Sequence, residues 1–284
     1  MKIDKAALTA FGSTSLFVLL WSGGGIAAEL GLTLASAFAF LVLRFALGFA
    51  GLVAVGLFRG QVLPPIGARV RVASTGAVLV GLYSITYLLA LDEGVAPGVL
   101  ATILGVQPIL TLLLVERRFS AARFAGLALA LAGLVAIVYQ SLAQTRSSAP
   151  GIGFALAALG CMTVGAILQK RIREAPAVVL PLQYGVSLVL CLVCLAFEPF
   201  RVEWSWSFAL PLGYMGLVIS VGATLLFYRL IQAGNLVNVT SLFYLVPAGT
   251  AALDYLLLGH PMAPLALAGM AAILGGLALV FRTS

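Results

Sequence analysis

Ten runs of about twenty mostly apolar residues follow one another along this chain of 284 residues, with only short polar joints between them. A run of that length matches the roughly 30 Å of hydrocarbon in a bilayer when it is helical. The runs cover 10–28, 34–57, 71–91, 95–115, 122–140, 151–170, 177–197, 207–229, 236–258 and 262–281. In lipid a backbone must satisfy its own hydrogen bonds, so each run is expected to be an α-helix. The alternating pattern of a membrane barrel is absent, and the runs are too long for its strands. Only 9% of residues are charged, against about 25% in a soluble domain. The expected fold is therefore an all-α integral membrane protein of ten transmembrane helices, forming one transmembrane domain over 1–284 with almost nothing outside the bilayer.

The net charge of +7 raises the question of a nucleic-acid face, and the placement of the basic residues answers it. If the N-terminus is cytoplasmic, Lys2, Lys5, Arg59, Arg69, Arg71, Arg117, Arg118, Arg123, Lys170, Arg171, Arg173, Arg229 and Arg282 all fall on the inner side. Only Arg146 and Arg201 fall outside, and Arg44 lies within a helix. This bias is the positive-inside pattern. It predicts both termini in the cytoplasm and leaves no basic cluster for a nucleic acid. Lys2, Lys5 and the first apolar run also resemble a signal peptide, but the internal repeat described next needs that helix, so cleavage is not expected. Cys161, Cys191 and Cys194 all lie in apolar runs and are expected to pack as small apolar residues. With a single histidine, His260, no metal site is expected.

The two halves, 10–140 and 151–281, resemble each other. LDEGVAPGVLATILGVQP at 91–108 matches IQAGNLVNVTSLFYLVP at 231–247. Gly94 and Pro108 are fourteen apart, and Gly234 and Pro247 thirteen. Gly126 and Gly133 share a spacing of seven with Gly269 and Gly276, and LRF at 43–45 corresponds to LQY at 182–184. Five helices per half is an odd number, so the second half must cross the membrane in the opposite sense. Inverted repeats of this kind mark secondary transporters, whose substrate sites lie near the midplane between interrupted helices. Pro108 and Pro247 fall deep in the fourth and ninth helices. There they are expected to free the carbonyls near Leu104 and Phe243 and to serve as gating kinks. In the first helix, LLWSGGGIAAE at 19–29 places three glycines beside Trp21. Gly24 aligns with Gly165 of the sixth helix, whereas Gly23 and Gly25 have no counterpart. Gly24 is therefore expected to be a close helix contact.

The ordered set of LLWSGGG at 19–25, LRF at 43–45, YLLALDEGVAPGVLATILGVQP at 87–108, Pro247 and LLLGHPMAPLALAGMAAILGGLAL at 256–279 resembles the drug/metabolite transporter superfamily, specifically its EamA-type ten-helix exporters. The resemblance covers nearly the whole chain. It implies a secondary exporter in a bacterial-type inner membrane, working by alternating access, with amino acids as substrates and aromatic ones foremost. Two departures stand out. Gly259-His260 occupies the place where the family usually has Gly-Glu, and Pro108 lies only eight residues before Glu116.

No G-x-x-x-x-G-K-[ST] loop is present, so no nucleotide drive is expected. No cofactor is expected either. The partners are a small-molecule substrate and the lipid bilayer, and homo-oligomerisation is left open. One histidine and no H-E-x-x-H argue against a membrane enzyme. The alternative is export of another metabolite or drug class by the same architecture. Cationic drugs would require a cavity carboxylate, and the sequence offers few. Tyr83 and Tyr87, four apart, share one helix face. With Trp21, Thr102, Gln107, Thr163, Thr224, Phe227, Asn238, Ser241 and Tyr244 they are the candidate walls of a substrate cavity, because apolar surfaces with a few placed polar groups bind amphiphilic solutes. Two charges are nominally intramembrane, and each needs a partner or a wet cavity. Arg44 can hold a carboxylate or cap backbone carbonyls. Asp254 is a candidate proton carrier or a hydrated residue near the outer end of its helix.

Overall fold

A computed structural model describes residues 5–116, 120–144, 148–258 and 263–283. It is almost wholly helical, with ten helices long and apolar enough to cross a membrane among the described residues. These are α1 (Gly12–Leu32), α2 (Ala37–Phe58), α3 (Ile66–Asp92), α4 (Pro97–Val115), α5 (Ala121–Tyr139), α6 (Ala149–Lys170), α7 (Pro176–Leu195), α8 (Trp206–Ala233), α9 (Leu236–Leu253) and α10 (Pro264–Arg282). Each falls on one of the ten apolar runs. Proline opens α4, α6, α7 and α10 in the first helical turn, where its missing N–H is no loss. Leu57, Phe58, Val70 and Leu210 are among the large apolar side chains turned outward, as a lipid-facing surface requires. Phe197, Phe200, Trp204 and Trp206 are exposed together between α7 and α8, a placement suited to the bilayer interface.

Two helices run longer than the apolar pattern suggests, α3 with 27 residues and α8 with 28. Each contains a π-helical stretch, Ala77–Leu82 in α3 and Tyr214–Ala223 in α8. A π turn widens the helix by one residue and commonly occurs at functional sites. Hydroxyls stitch the wide turn of α8: Ser220 Oγ donates to the Met215 carbonyl and Thr224 Oγ1 to that of Ile219, both at 2.9 Å and both five residues back.

The fourth and ninth spans are interrupted near Pro108 and Pro247. In α4 the helix Pro97–Leu104 stops and Gln107–Val115 starts afresh, with Pro108 in its first turn. The carbonyl put to use is that of Gly105, not Leu104: it accepts a 2.6 Å hydrogen bond from the Tyr244 hydroxyl. In α9 the helix Leu236–Ser241 passes through a tight turn at Leu242–Tyr244 into Leu245–Leu258, where Pro247 is the third residue. The two interruptions are thus tied to each other by Tyr244.

Helices α5 and α10 pack along their whole length. A Cβ on Gly126 would fall 2.7 Å from the Gly276 carbonyl oxygen, and one on Gly133 would fall 2.5 Å from that of Gly269. The glycines spaced by seven therefore face one another crosswise, and only a hydrogen at Cα permits backbones this close. Gly24 packs on Ile219 and Gly165 on Leu79, so each meets the π-helical stretch of a neighbour. A Cβ on Gly23 would meet the Tyr214 hydroxyl at 2.5 Å, whereas one on Gly25 would meet nothing within 4 Å.

Candidate functional site

The polar and aromatic residues of seven spans converge on a central cavity of about 60 Å³. Its walls are Trp21 of α1; Arg44 and Phe45 of α2; Leu79, Val80, Tyr83 and Ser84 of α3; Met162 of α6; Tyr184 of α7; Thr224, Phe227 and Tyr228 of α8; and Phe243 of α9. The π-helical stretches end at Tyr83 and Thr224. The widened turns thus deliver one polar wall residue each from α3 and α8. Phe17, Trp21, Phe227 and Phe243 form an aromatic cluster with centroid separations of 5.2 to 5.8 Å. Phe45 meets Tyr184 edge to face at 5.3 Å, joining the LRF and LQY segments directly. A volume of this size admits a few water molecules but is well below the roughly 300 Å³ of a working small-molecule site. Binding a solute of amino-acid size would require the walls to part.

Arg44 is the one charged residue on these walls. Its Nε donates to Ser220 Oγ at 3.1 Å and its guanidinium carbon lies 5.6 Å from the Phe45 ring centroid. Ser220 is fully buried, and its own proton is committed to Met215, so it is held as an acceptor. Of the two roles read for Arg44, capping backbone carbonyls is not observed among the described contacts.

The other sequence-predicted residues divide. Trp21, Tyr83, Thr224 and Phe227 line the cavity. Tyr87 lies tilted beside Tyr83 with ring centroids 5.9 Å apart and packs on the Ala90–Leu100 cluster instead. Thr102 and Thr163 turn their hydroxyls onto the Gly98 and Leu159 carbonyls of their own helices. Gln107 is 1% exposed, and its Nε2 has no partner among the described residues. Ser241 bonds to the Asn238 carbonyl, and Tyr244 to Gly105. Asn238 is not on the cavity: it lies one turn into α9 and accepts from Arg123 at 2.8 Å. Apolar run lengths give the depth of such a residue only to within a turn. The side chain of Asp254, and Gly259 and His260 altogether, lie outside the described residues.

Sequence reasoning missed the group that closes one face. Gln183 Nε2 donates to Gln169 Oε1 at 2.9 Å and the Tyr228 hydroxyl to Gln183 Oε1 at 2.7 Å, all of it buried. Beyond it, Lys170 Nζ donates to the carbonyls of Ile231, Gln232 and Gly234 at 2.7, 3.0 and 2.7 Å, capping the end of α8. Nearby, Arg123, only 4% exposed, holds both Glu116 oxygens at 2.7 Å and the Asn235 and Asn238 oxygens at 2.9 and 2.8 Å. Asn235 also caps the start of α9. The signal in the sequence was the glutamine of LQY, a residue rarely placed in lipid without partners. At the opposite face a hollow of about 250 Å³ lies between Phe38, Leu88, Asp92, Cys194 and Glu198. One face is latched by ionic and amide contacts and the other is hollow.

Comparison with known proteins agrees with this architecture. A solved structure, described only as a protein crystal structure, matches with a TM-score of 0.76 at 23% identity, covering 96% of this chain and 99% of that one. It therefore shares the fold. A comparison with curated proteins gives no match. The model of the EamA-like transporter family matches residues 149–282, which are α6 to α10. That second half of the chain is similar to the EamA-like transporter family.

Proposed function

We propose that this protein is a secondary exporter of amino acids, aromatic ones foremost, which moves them across a bacterial-type inner membrane by alternating access through the central cavity. The observation that carries the reading is the cavity itself: Trp21, Tyr83, Phe227 and Phe243 supply ring surface beside the guanidinium of Arg44. Aromatic pairing contributes about 0.5–1.5 kcal/mol per contact beyond area burial, and a guanidinium matches a carboxylate. The proposal includes one transmembrane domain built from two inverted five-helix repeats. In support, π-helical stretches occur in α3 and α8, and interruptions in α4 and α9, five spans apart each time. The crosswise glycine contacts of α5 and α10 fit a two-fold relation between the halves. Such a relation lets the two halves rock against each other about the cavity. Both termini lie in the cytoplasm in this reading, so the latched face is the cytoplasmic one.

The test is transport by the reconstituted protein in liposomes, with a panel of labelled amino acids and with or without a pH gradient. Aromatic amino acids should move, and Arg44→Gln should slow them. Failure to move any amino acid would defeat the substrate assignment. Indifference to the pH gradient would remove Asp254 as a coupling residue.

A further inference from the structure

We propose that the central cavity selects aromatic solutes by net negative charge, so that an aromatic carboxylate without a free ammonium group binds more tightly than the amino acid. This rests on the reading of that cavity as the transport site. The argument begins with charge. Arg44 brings a guanidinium to the walls, and no carboxylate is among the lining residues. The ion pairs among the described residues lie elsewhere, Arg71 with Glu174 and Arg123 with Glu116. Only the Nε of Arg44 is engaged, by Ser220. Its two terminal nitrogens have no hydrogen-bond partner among the described residues, and they form the fork that fits a carboxylate. An uncompensated cation this deep in a membrane protein is costly, and an entering anion relieves that cost.

An ammonium group fares differently. In an α-amino acid it sits one carbon from the carboxylate. Docking the carboxylate on Arg44 therefore brings the ammonium to the guanidinium as well, in a space of about 60 Å³ before the walls part. No carboxylate is there to receive it. Only neutral hydroxyl oxygens face it: Thr224 donates to Ile219, Tyr184 lies 3.3 Å from Thr224 and Tyr228 donates to Gln183, and a neutral oxygen does not balance the charge of an ammonium held beside a guanidinium. The rings of Trp21, Phe227 and Phe243 meet one another tilted or edge to face, and the ring surface they leave toward the cavity is shared with the aromatic part of the solute. A guanidinium repels any cation placed beside it at low dielectric. The cavity thus rewards the carboxylate and penalises the ammonium.

The experiment is calorimetric titration of the full chain in lipid nanodiscs with four probes of one shape: 3-phenylpropanoate, N-acetylphenylalanine, phenylalanine and phenylalanine amide. The two anions should bind roughly tenfold or more tightly than phenylalanine, the value of about one charge-assisted contact, and the cationic amide should not bind. Arg44→Gln should abolish the ranking, while Arg44→Lys, which keeps the charge, should preserve it. In liposomes, uptake of N-acetylphenylalanine should follow an imposed potassium diffusion potential in the direction set by one negative charge. Tighter binding of phenylalanine than of both anions would overturn the charge selection and leave the transport site standing. So would an unchanged ranking in an Arg44→Gln protein that melts at the wild-type temperature. Absence of binding by every probe would defeat the transport-site reading itself, and this inference with it.

Discussion

Replacing Lys170 by methionine keeps the length of the side chain and removes the donor that closes one face. Lys170 gives three hydrogen bonds of 2.7 to 3.0 Å to the last carbonyls of α8. Hydrogen bonds to a charged group contribute about 1.5–3 kcal/mol each, but this ammonium is only half-buried, and water can replace part of what is lost. Counting the set as one to two full bonds gives roughly 2–3 kcal/mol. If those bonds exist only while the face is closed, the open fraction rises roughly 30- to 150-fold. The assay places a cysteine at Ile231, which is fully buried on α8 behind the latch, in a protein whose Cys161, Cys191 and Cys194 are replaced by alanine. Its reaction with a membrane-impermeant maleimide is followed in inverted and in right-side-out vesicles. Labelling should accelerate by that factor in Lys170→Met, in inverted vesicles only, and stay within about threefold in Lys170→Arg. An unchanged rate in Lys170→Met would refute the latch. Acceleration in right-side-out vesicles alone would refute the cytoplasmic placement of this face.

Gly133→Leu should lower the melting temperature, because its first carbon would fall 2.5 Å from the Gly269 carbonyl oxygen; overpacking of this kind costs about 1–3 kcal/mol or more. Gly160→Leu, at an exposed position with open space around it, should leave the melt unchanged. Gly24→Leu should slow transport about tenfold, equivalent to about 1.4 kcal/mol of strain against Ile219, and Gly25→Leu should not. Arg123→Met should destabilise by about 3–5 kcal/mol, because it leaves Glu116 without its cation. The double variant with Glu116→Gln should recover part of that loss in the same melting experiment.

The ten spans were legible because hydrocarbon thickness leaves little choice of length, and the charge of the joints marks their ends. The pairing of Gly126 and Gly133 with Gly276 and Gly269 was foreshadowed by their spacing, since glycine at a fixed interval has few uses in lipid other than close approach. The π-helical stretches were not legible. A turn closed five residues back rather than four leaves no mark in composition, and Ser220 and Thr224 read as ordinary small polar residues. Which face a residue turns was equally hidden. Tyr83 and Tyr87 share a face by spacing, yet the cavity takes Tyr83 while Tyr87 packs beside it toward α4 and α6. By sequence Gln107 and Tyr244 suit cavity walls, because a polar atom in an apolar run needs a reason. The interruption of α4 supplied a different one, a free carbonyl at Gly105 for the tyrosine to cap. In the sequence Gln183 is only the middle of LQY, and its partners Gln169 and Tyr228 lie on other helices, a relation no local pattern carries.

The crosswise glycine contact has a consequence for how the chain is assembled during synthesis. Helix α5 presents Gly126 and Gly133 to a partner, α10, that is made more than a hundred residues later. Until then its glycine face must rest against lipid or an insertion factor, while α6 to α9 enter the membrane one after another. The first half therefore waits with an unfinished edge, and α10 is the piece that completes it. A substitution at Gly269 or Gly276 would then injure the protein late, after nine helices are in place. Its signature would be accumulation of an inserted but protease-sensitive chain rather than failure of insertion.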